Sequence, residues 1–188
     1  LVKDPHMLIE GIIICSYAIG SHDAYIYIRG EYTTQVKVLQ AAINEAYNAG
    51  YLGDSVAGHD FQLNVTVHRG AGAYVCGEET ALLESIEGKK GQPRSKPPFP
   101  AVAGLYGCPT IINNVQSIAS LPYIIDNGAD AYKAFGTEKS PGTHLFGISG
   151  HVEKPGMYEL PLGLPLLEVI DKVSGGVWKG RKLKGIIP

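Results

Sequence analysis

The residues best suited to chemistry lie in one stretch, RGAGAYVCGEETALLES (69–85), where Gly70, Gly72 and Gly77 precede two adjacent carboxylates, Glu78 and Glu79. Glycine permits positive φ and lets a ligand approach the backbone with no Cβ in the way, which is the use expected of these three. Glu78 and Glu79 fall where the first turn of a helix should begin, and acidic groups suit that electropositive end. Ala81, Leu82 and Leu83, followed by Ser85 and Ile86, supply the apolar face of such a helix. Upstream, Phe61, Leu63, Val65 and Val67 alternate with Gln62, Asn64, Thr66 and His68, the period-two pattern of a half-buried strand. A glycine turn running from strand into helix is where proteins cradle phosphates. The spacing is G-x-G-x-x-x-x-G, however, not the G-x-G-x-x-G dinucleotide fingerprint, and no acidic residue about 20 positions on lies on an evident following strand. The pattern alone therefore leaves two readings open, a nucleotide-binding turn or a tight strand-to-helix connection.

The elements that must position this stretch alternate. Residues 7–19 are an apolar run expected to form a buried helix, capped by Asp4 with Pro5 at its first position and stopped at Gly20. Residues 24–29 have the pattern of a strand, and 33–48 that of an amphipathic helix with Val36, Leu39, Ala42, Ile43, Ala46 and Tyr47 at helical spacing. The strand at 61–67, the glycine turn and a helix near 78–88 complete an α/β alternation. Residues 91–110 hold Pro93, Pro97, Pro98, Pro100 and Pro109, which excludes a helix interior and favours stiff extended chain able to hold side chains out at a site. A helix at 113–126, interrupted at Pro122, and a short one at 129–135 follow. The composition changes near 139–142. Residues 144–151 and 157–160 form a hairpin pattern around the turn at 153–156, 164–173 a short helix, and 183–187 the start of another strand.

Composition bounds the function. The 188 residues are 45% hydrophobic, enough for a core, and the formal net charge of −2 argues against a nucleic-acid binder. Lys89, Lys90, Arg94 and Lys96 stand out as the basic cluster of the chain, with Lys89 and Lys90 expected to be solvated. The three cysteines, Cys15, Cys76 and Cys108, are far apart, so neither a zinc site nor a disulfide framework is indicated. Cys76 lies within the glycine turn but has no triad-like context, and is expected to pack as a small residue. The apolar run at 7–19 falls short of the roughly 20 residues a membrane span needs.

The string 70–85 resembles the signature of the NADH-oxidising flavoprotein subunit of respiratory complex I, down to Tyr74, Cys76, Gly77 and the Glu78–Glu79 pair. PHMLIEG (5–11), YIYIRGEY (25–32), RSKPPFPA (94–101) and PTIINNVQS (109–117) agree with it. Soluble NAD-linked hydrogenases and formate dehydrogenases share the same flavin module, so a diaphorase subunit of one of these is the alternative, and a non-catalytic structural module the more distant one. The resemblance implies a flavin- and NADH-binding α/β domain at 1–140, truncated at its N-terminus, followed at 141–188 by the start of a β-grasp domain, truncated at its C-terminus. It further implies FMN and NAD(H) as cofactors. The family's flavin-phosphate loop lies upstream and the ligands of its 4Fe-4S cluster downstream, so the cluster belongs to the full-length subunit only and this piece alone is expected to be inactive. The expected partners are the other subunits of a multi-subunit oxidoreductase, an iron–sulfur subunit among them. The expected location is peripheral, on the cytoplasmic or matrix side of an energy-transducing membrane, with no direct insertion.

Hydride transfer from nicotinamide to flavin needs two planar rings held in contact and orientation, which calls for backbone amides, amide side chains, aromatics and a few charges. The resemblance assigns Gly70, Gly72, Tyr74 and Gly77 to the nucleotide-binding cavity and puts Glu79 beside the nicotinamide, where its carboxylate can accept carboxamide N–H groups. Glu79 is thus the catalytic candidate, with Glu78 its neighbour. By the same resemblance Phe99 stacks on adenine, Lys96 reaches the ribose or phosphates, and Asn113 and Asn114 lie against the flavin. Each has a plainer reading: first-turn acids for the glutamates, core packing for Tyr74 and Phe99, solvation for Lys96, and helix capping for one of the asparagines.

Overall fold

A computed structural model describes residues 2–188 and divides the chain into two compact units, one running to Pro122 and the other Tyr123–Pro188. The first unit is built on helix α1 (Pro5–Ile19), strand β1 (Asp23–Ile28), helix α2 (Thr33–Asn48) and strand β2 (Asn64–Arg69). Helix α1 begins as its sequence dictates. Asp4 accepts a hydrogen bond from the Met7 amide at 3.0 Å, Pro5 takes a first-turn position that has no N–H bond to lose, and Gly20 closes the helix in the left-handed region.

Strands β1 and β2 pair in parallel, from Asp23 opposite Asn64 to Ile28 opposite Arg69. Strand β2 starts later and runs further than the alternation suggests. Leu63 instead exchanges two 2.9 Å backbone bonds with Gly53, and the Val56 amide donates to the Phe61 carbonyl, so the loop after α2 claims the residues before Asn64. Leu8, Ile9 and Ile12 of α1, Ile26 of β1, Leu39, Ala42, Ile43 and Ala46 of α2, and Leu63 and Val65 form one buried core. The Tyr47 hydroxyl, projecting from α2, accepts the Val65 amide at 3.0 Å.

Beyond β2, helix α3 (Glu79–Ile86) contributes Leu83 and Ile86 to a second cluster with Leu105, against which Tyr27, Leu82 and Ile112 pack. The expected helix at 113–126 is two helices, α4 (Val115–Ala119) and α5 (Leu121–Asn127). The break falls at Ser120, not Pro122. Pro122 sits in the first turn of α5, where a missing N–H costs nothing. Helix α4 crosses α1 closely enough that a Cβ on Gly11 would strike the Ile118 carbonyl.

The second unit contains helix α6 (Ala129–Lys133) and a two-residue pairing of β3 (Gly136–Thr137) with β4 (Ser140–Pro141). The expected hairpin is present as β5 (Thr143–Ile148) antiparallel to β6 (Gly156–Pro161). The helix expected at 164–173 is regular only over α7 (Leu166–Glu168) and then widens through Val169–Val173. Residues 183–187 do not form the expected strand, because no described backbone edge accepts their hydrogen bonds. No helix among the described residues is long and apolar enough to cross a membrane.

Candidate functional site

The glycine turn is fixed from below by the loop after β1. The Gly70 amide donates to the Ile28 carbonyl at 2.8 Å, extending the parallel ladder by one bond. The Arg69 guanidinium donates to the Gly30 carbonyl at 2.8 and 2.5 Å, so the two loops at the carboxyl ends of the parallel strands are tied together. Open α/β sheets bind ligands at that end.

The three glycines serve different ends. Only Gly72 has positive φ, at +89°. Gly70 has an ordinary backbone, and glycine is needed there because a Cβ would lie 2.5 Å from the Tyr27 hydroxyl, which also shares a 3.0 Å hydrogen bond with Ser85 on α3. Burial pushes the Tyr27 phenol up from its ordinary value. Gly77 likewise has no positive φ, and a Cβ built on it would meet nothing within 4 Å. Nothing in the described protein forbids a side chain at Gly77, so open space remains over this part of the turn. Cys76 is buried under the turn as a packing residue.

A tight turn, Tyr74–Gly77, leads into α3, and Glu78 is its N-cap. The Glu78 backbone is extended (φ −77°, ψ 138°), which folds its carboxylate back to accept the Thr80 amide at 2.9 Å, the Ala81 amide at 2.8 Å and the Thr80 hydroxyl at 2.6 Å. The Thr80 hydroxyl above all, then the two amides and Lys96 nearby, hold this carboxyl below its ordinary range. Capping therefore belongs to Glu78, and Glu79 is free of it. Glu79 lies in the first turn, half exposed, and pairs with the Lys96 ammonium, which also stands 3.8 Å from Glu78. The hydrogen bond to Glu79 raises the Lys96 ammonium above its ordinary value.

Three of the sequence-predicted residues thus meet directly: Glu78, Glu79 and Lys96. Tyr74, 96% exposed, and Phe99, 59% exposed, are not core aromatics. Asn114 caps α4, accepting the Gln116 amide at 2.8 Å, and Asn113 beside it is exposed. Among the described residues no hydrogen bond or ion pair joins either amide to Glu78, Glu79 or Lys96. A cavity of about 810 Å³ lies between α1, β1, α3 and the 101–118 segment. It includes Asn113 but none of Gly70, Gly72, Tyr74, Glu79, Lys96 or Phe99, and its walls are mainly aliphatic and aromatic. The paired charges and open aromatics at the strand ends are the better candidate site, because they can orient a charged ligand and an aliphatic wall cannot.

Arg94, in the sequence one charge of the basic cluster, has a structural role that the cluster does not announce. Its guanidinium binds Glu84 at 2.5 Å, Glu87 at 2.7 Å and the Gly104 carbonyl at 2.8 Å, and its amide donates to the Thr80 hydroxyl at 2.8 Å. The spacing of Glu84 and Glu87 on one helix face was the available signal. Lys89, 61% exposed, pairs with Glu87 at 2.8 Å. With Arg94 and the Tyr106 amide it holds that carboxyl at about 2, the Lys89 hydrogen bond contributing most. A second basic run, Lys179, Arg181, Lys182 and Lys184, was passed over in the sequence; Lys179 stands 4.2 Å and Arg181 5.4 Å over the Trp178 ring.

Parallel strands that deliver a glycine turn into a carboxylate-capped helix define an α/β protein of the kind that takes ligands at its strand ends. The chain belongs to the Nuo51 FMN-binding domain family, which it matches over residues 1–123, and residues 145–183 match the SLBB domain. It is 54% identical over 186 residues to an NADH-quinone oxidoreductase subunit of Rhizobium meliloti (strain 1021), a match covering 99% of this chain and 44% of that protein. It is 55% identical over 186 residues to the mitochondrial NADH dehydrogenase (ubiquinone) flavoprotein 1 of Dictyostelium discoideum, covering 98% and 39%. The chain thus spans less than half the length of these relatives. Among solved structures it is similar to the NAD+-reducing [NiFe]-hydrogenase in the H2-reduced state, with a TM-score of 0.79 and 42% identity over 88% of this chain and 28% of the hydrogenase chain.

Proposed function

We propose that this chain is the nucleotide-binding part of an NADH dehydrogenase subunit that passes hydride from NADH to FMN, and thence single electrons to iron–sulfur clusters of a respiratory complex. The reading is supported chiefly by the meeting of the glycine turn, Glu79 and Lys96 at the carboxyl ends of two parallel strands, in a chain of the FMN-binding family. Bound FMN would supply the acceptor that takes two electrons and releases them singly. The open space over Gly77 and the uncovered ring of Tyr74 suit a planar ligand.

The chain's own residues bind and orient. Gly70, Gly72 and Gly77 keep side chains off the turn. Glu79 accepts the carboxamide N–H groups of nicotinamide, Lys96 neutralises ribose-linked phosphates, and Phe99 stacks on adenine. Asn113 and Asn114 serve the flavin, Asn114 while capping α4. Glu78 fixes the head of α3 beside them. On this reading residues 1–140 belong to the FMN/NADH domain and 141–188 to a β-grasp domain, a boundary that falls after the division of the compact units at Pro122. The assembly is a multi-subunit oxidoreductase with an iron–sulfur subunit as neighbour, peripheral on the cytoplasmic or matrix face of the membrane. A second reading, the diaphorase subunit of a soluble hydrogenase, is favoured by the likeness to the NAD+-reducing hydrogenase. Titration of the holoprotein with NADH tests the site: saturable binding weakened by Lys96→Ala is expected, and unchanged affinity contradicts it.

A further inference from the structure

The segment carrying Lys96 and Phe99 has little structure of its own. Between Gly91 and Ile112 the chain makes no helix longer than one turn and no strand, and its internal bonds gather in the 99–110 stretch, among them the Val102 and Ala103 amides on the Phe99 carbonyl at 2.9 and 3.0 Å, the Thr110 amide on Pro100 at 2.9 Å, the Gly104 amide on Cys108 at 2.7 Å and the Leu105 amide on the Thr110 hydroxyl at 2.9 Å. Leu105 packs it against Leu83 and Ile86, Lys96 pairs with Glu79, and the Tyr106 amide bonds Glu87, but one side chain ties both limbs of the loop to α3. Arg94 reaches Glu84 and Glu87 on and just after α3 with two arms of its fork and turns the third back to Gly104, on the far side of the loop holding Lys96 and Phe99. Glu87, with its side chain 6% exposed, accepts in addition the Tyr106 amide at 2.8 Å, so the same carboxylate grips both limbs of the loop. The Thr80 hydroxyl, which donates to the Glu78 cap, accepts the Arg94 amide. Helix cap and loop are therefore one hydrogen-bonded unit.

We infer that Arg94 is the positioning residue of the nucleotide site: by clamping the 94–106 loop to α3 it sets where Lys96 and Phe99 stand relative to Glu79. The inference rests on the nucleotide-site reading above. All three arms of the fork are engaged by protein, so Arg94 acts through the loop. Lysine cannot replace it, because an ammonium lacks the planar fork that holds three acceptors at fixed angles.

The test uses the holoenzyme with Arg94→Gln, Arg94→Lys, Lys96→Ala, Phe99→Ala and the double variant Arg94→Gln/Phe99→Ala. Arg94→Gln is expected to keep its flavin, raise KM for NADH about tenfold with kcat within about twofold, and speed hydrogen exchange in the peptide covering 95–106. Arg94→Lys should fall between. The double variant should have a KM close to that of the worse single one, since the two changes act on one contact. The inference is overturned by wild-type exchange in Arg94→Gln, by faster exchange with an unchanged KM, by additive effects in the double variant, or by lost flavin with an unchanged KM. If Phe99→Ala and Lys96→Ala both leave KM unaltered, the nucleotide-site reading fails, and the exchange measurement still reports whether the clamp exists.

Discussion

Removing the Glu78 side chain and removing the Glu79 side chain should have opposite consequences, although the two residues are chemically identical neighbours. Glu78→Ala deletes the acceptor of two backbone amides and of the Thr80 hydroxyl. Losing an N-cap costs about 1 kcal/mol, and stranding the hydroxyl of a residue only 1% exposed adds about another 1 kcal/mol, so a loss of roughly 2 kcal/mol is expected. Glu79→Ala forgoes only a first-turn charge worth about 0.3–1 kcal/mol, and its ion pair with Lys96 is exposed and screened. Thermal melts of the holoprotein should therefore rank Glu78→Ala well below Glu79→Ala, with Glu78→Ser recovering part of the loss because serine caps well. NADH affinity should rank them the other way. A Glu79→Ala variant as destabilised as Glu78→Ala, or a Glu78→Ala variant as stable as the wild type, would refute the division of labour.

Three further outcomes rest on the same geometry. Phe99→Ala should raise KM for NADH several-fold with flavin content intact, as expected for losing one stacked ring worth on the order of 1 kcal/mol; steady-state kinetics beside flavin extraction checks this. Glu87, held at about 2 against an ordinary 4.5, contributes stability that is complete above about pH 4.5 and lost as pH falls towards 2. The displacement is worth at most about 3.5 kcal/mol, less the screened share from exposed Lys89, so Glu87→Gln should lower the melt at neutral pH and flatten its dependence between those limits. Gly70→Ala should destabilise through the Tyr27 hydroxyl, and Tyr27→Phe should recover part of that loss in the double variant; a melt showing purely additive losses would count against the contact.

Local signals carried much of this structure. Asp4, Pro5 and Gly20 bracket α1 as the sequence leads one to expect, and the 3.6-residue spacing from Val36 to Tyr47 marks α2 along its length. What escaped depends on partners distant in sequence. Gly70 is glycine because of Tyr27 on the neighbouring strand, a reason invisible within the turn. The choice of Glu78 over Glu79 as cap turns on one extended backbone residue, which two adjacent glutamates do not announce. Arg94 looked like one charge in a basic cluster because its acceptors lie on a helix before it and a carbonyl after it. Leu183, Ile186 and Ile187 give residues 183–187 some strand character, but composition makes a strand only where an edge receives it. At the candidate site the residue types were legible, and the Glu78–Glu79–Lys96 grouping was not.

Stopped-flow reduction of the holoenzyme by NADH, read as bleaching of the flavin in wild type and in Glu79→Gln, bears most directly on the proposed hydride transfer. Rapid bleaching is expected in the wild type, and in Glu79→Gln weaker nucleotide affinity and altered reduction kinetics at unchanged flavin content and melting temperature. A wild-type protein that holds no flavin or is not bleached by NADH would contradict it, as would a Glu79→Gln variant with wild-type affinity and kinetics.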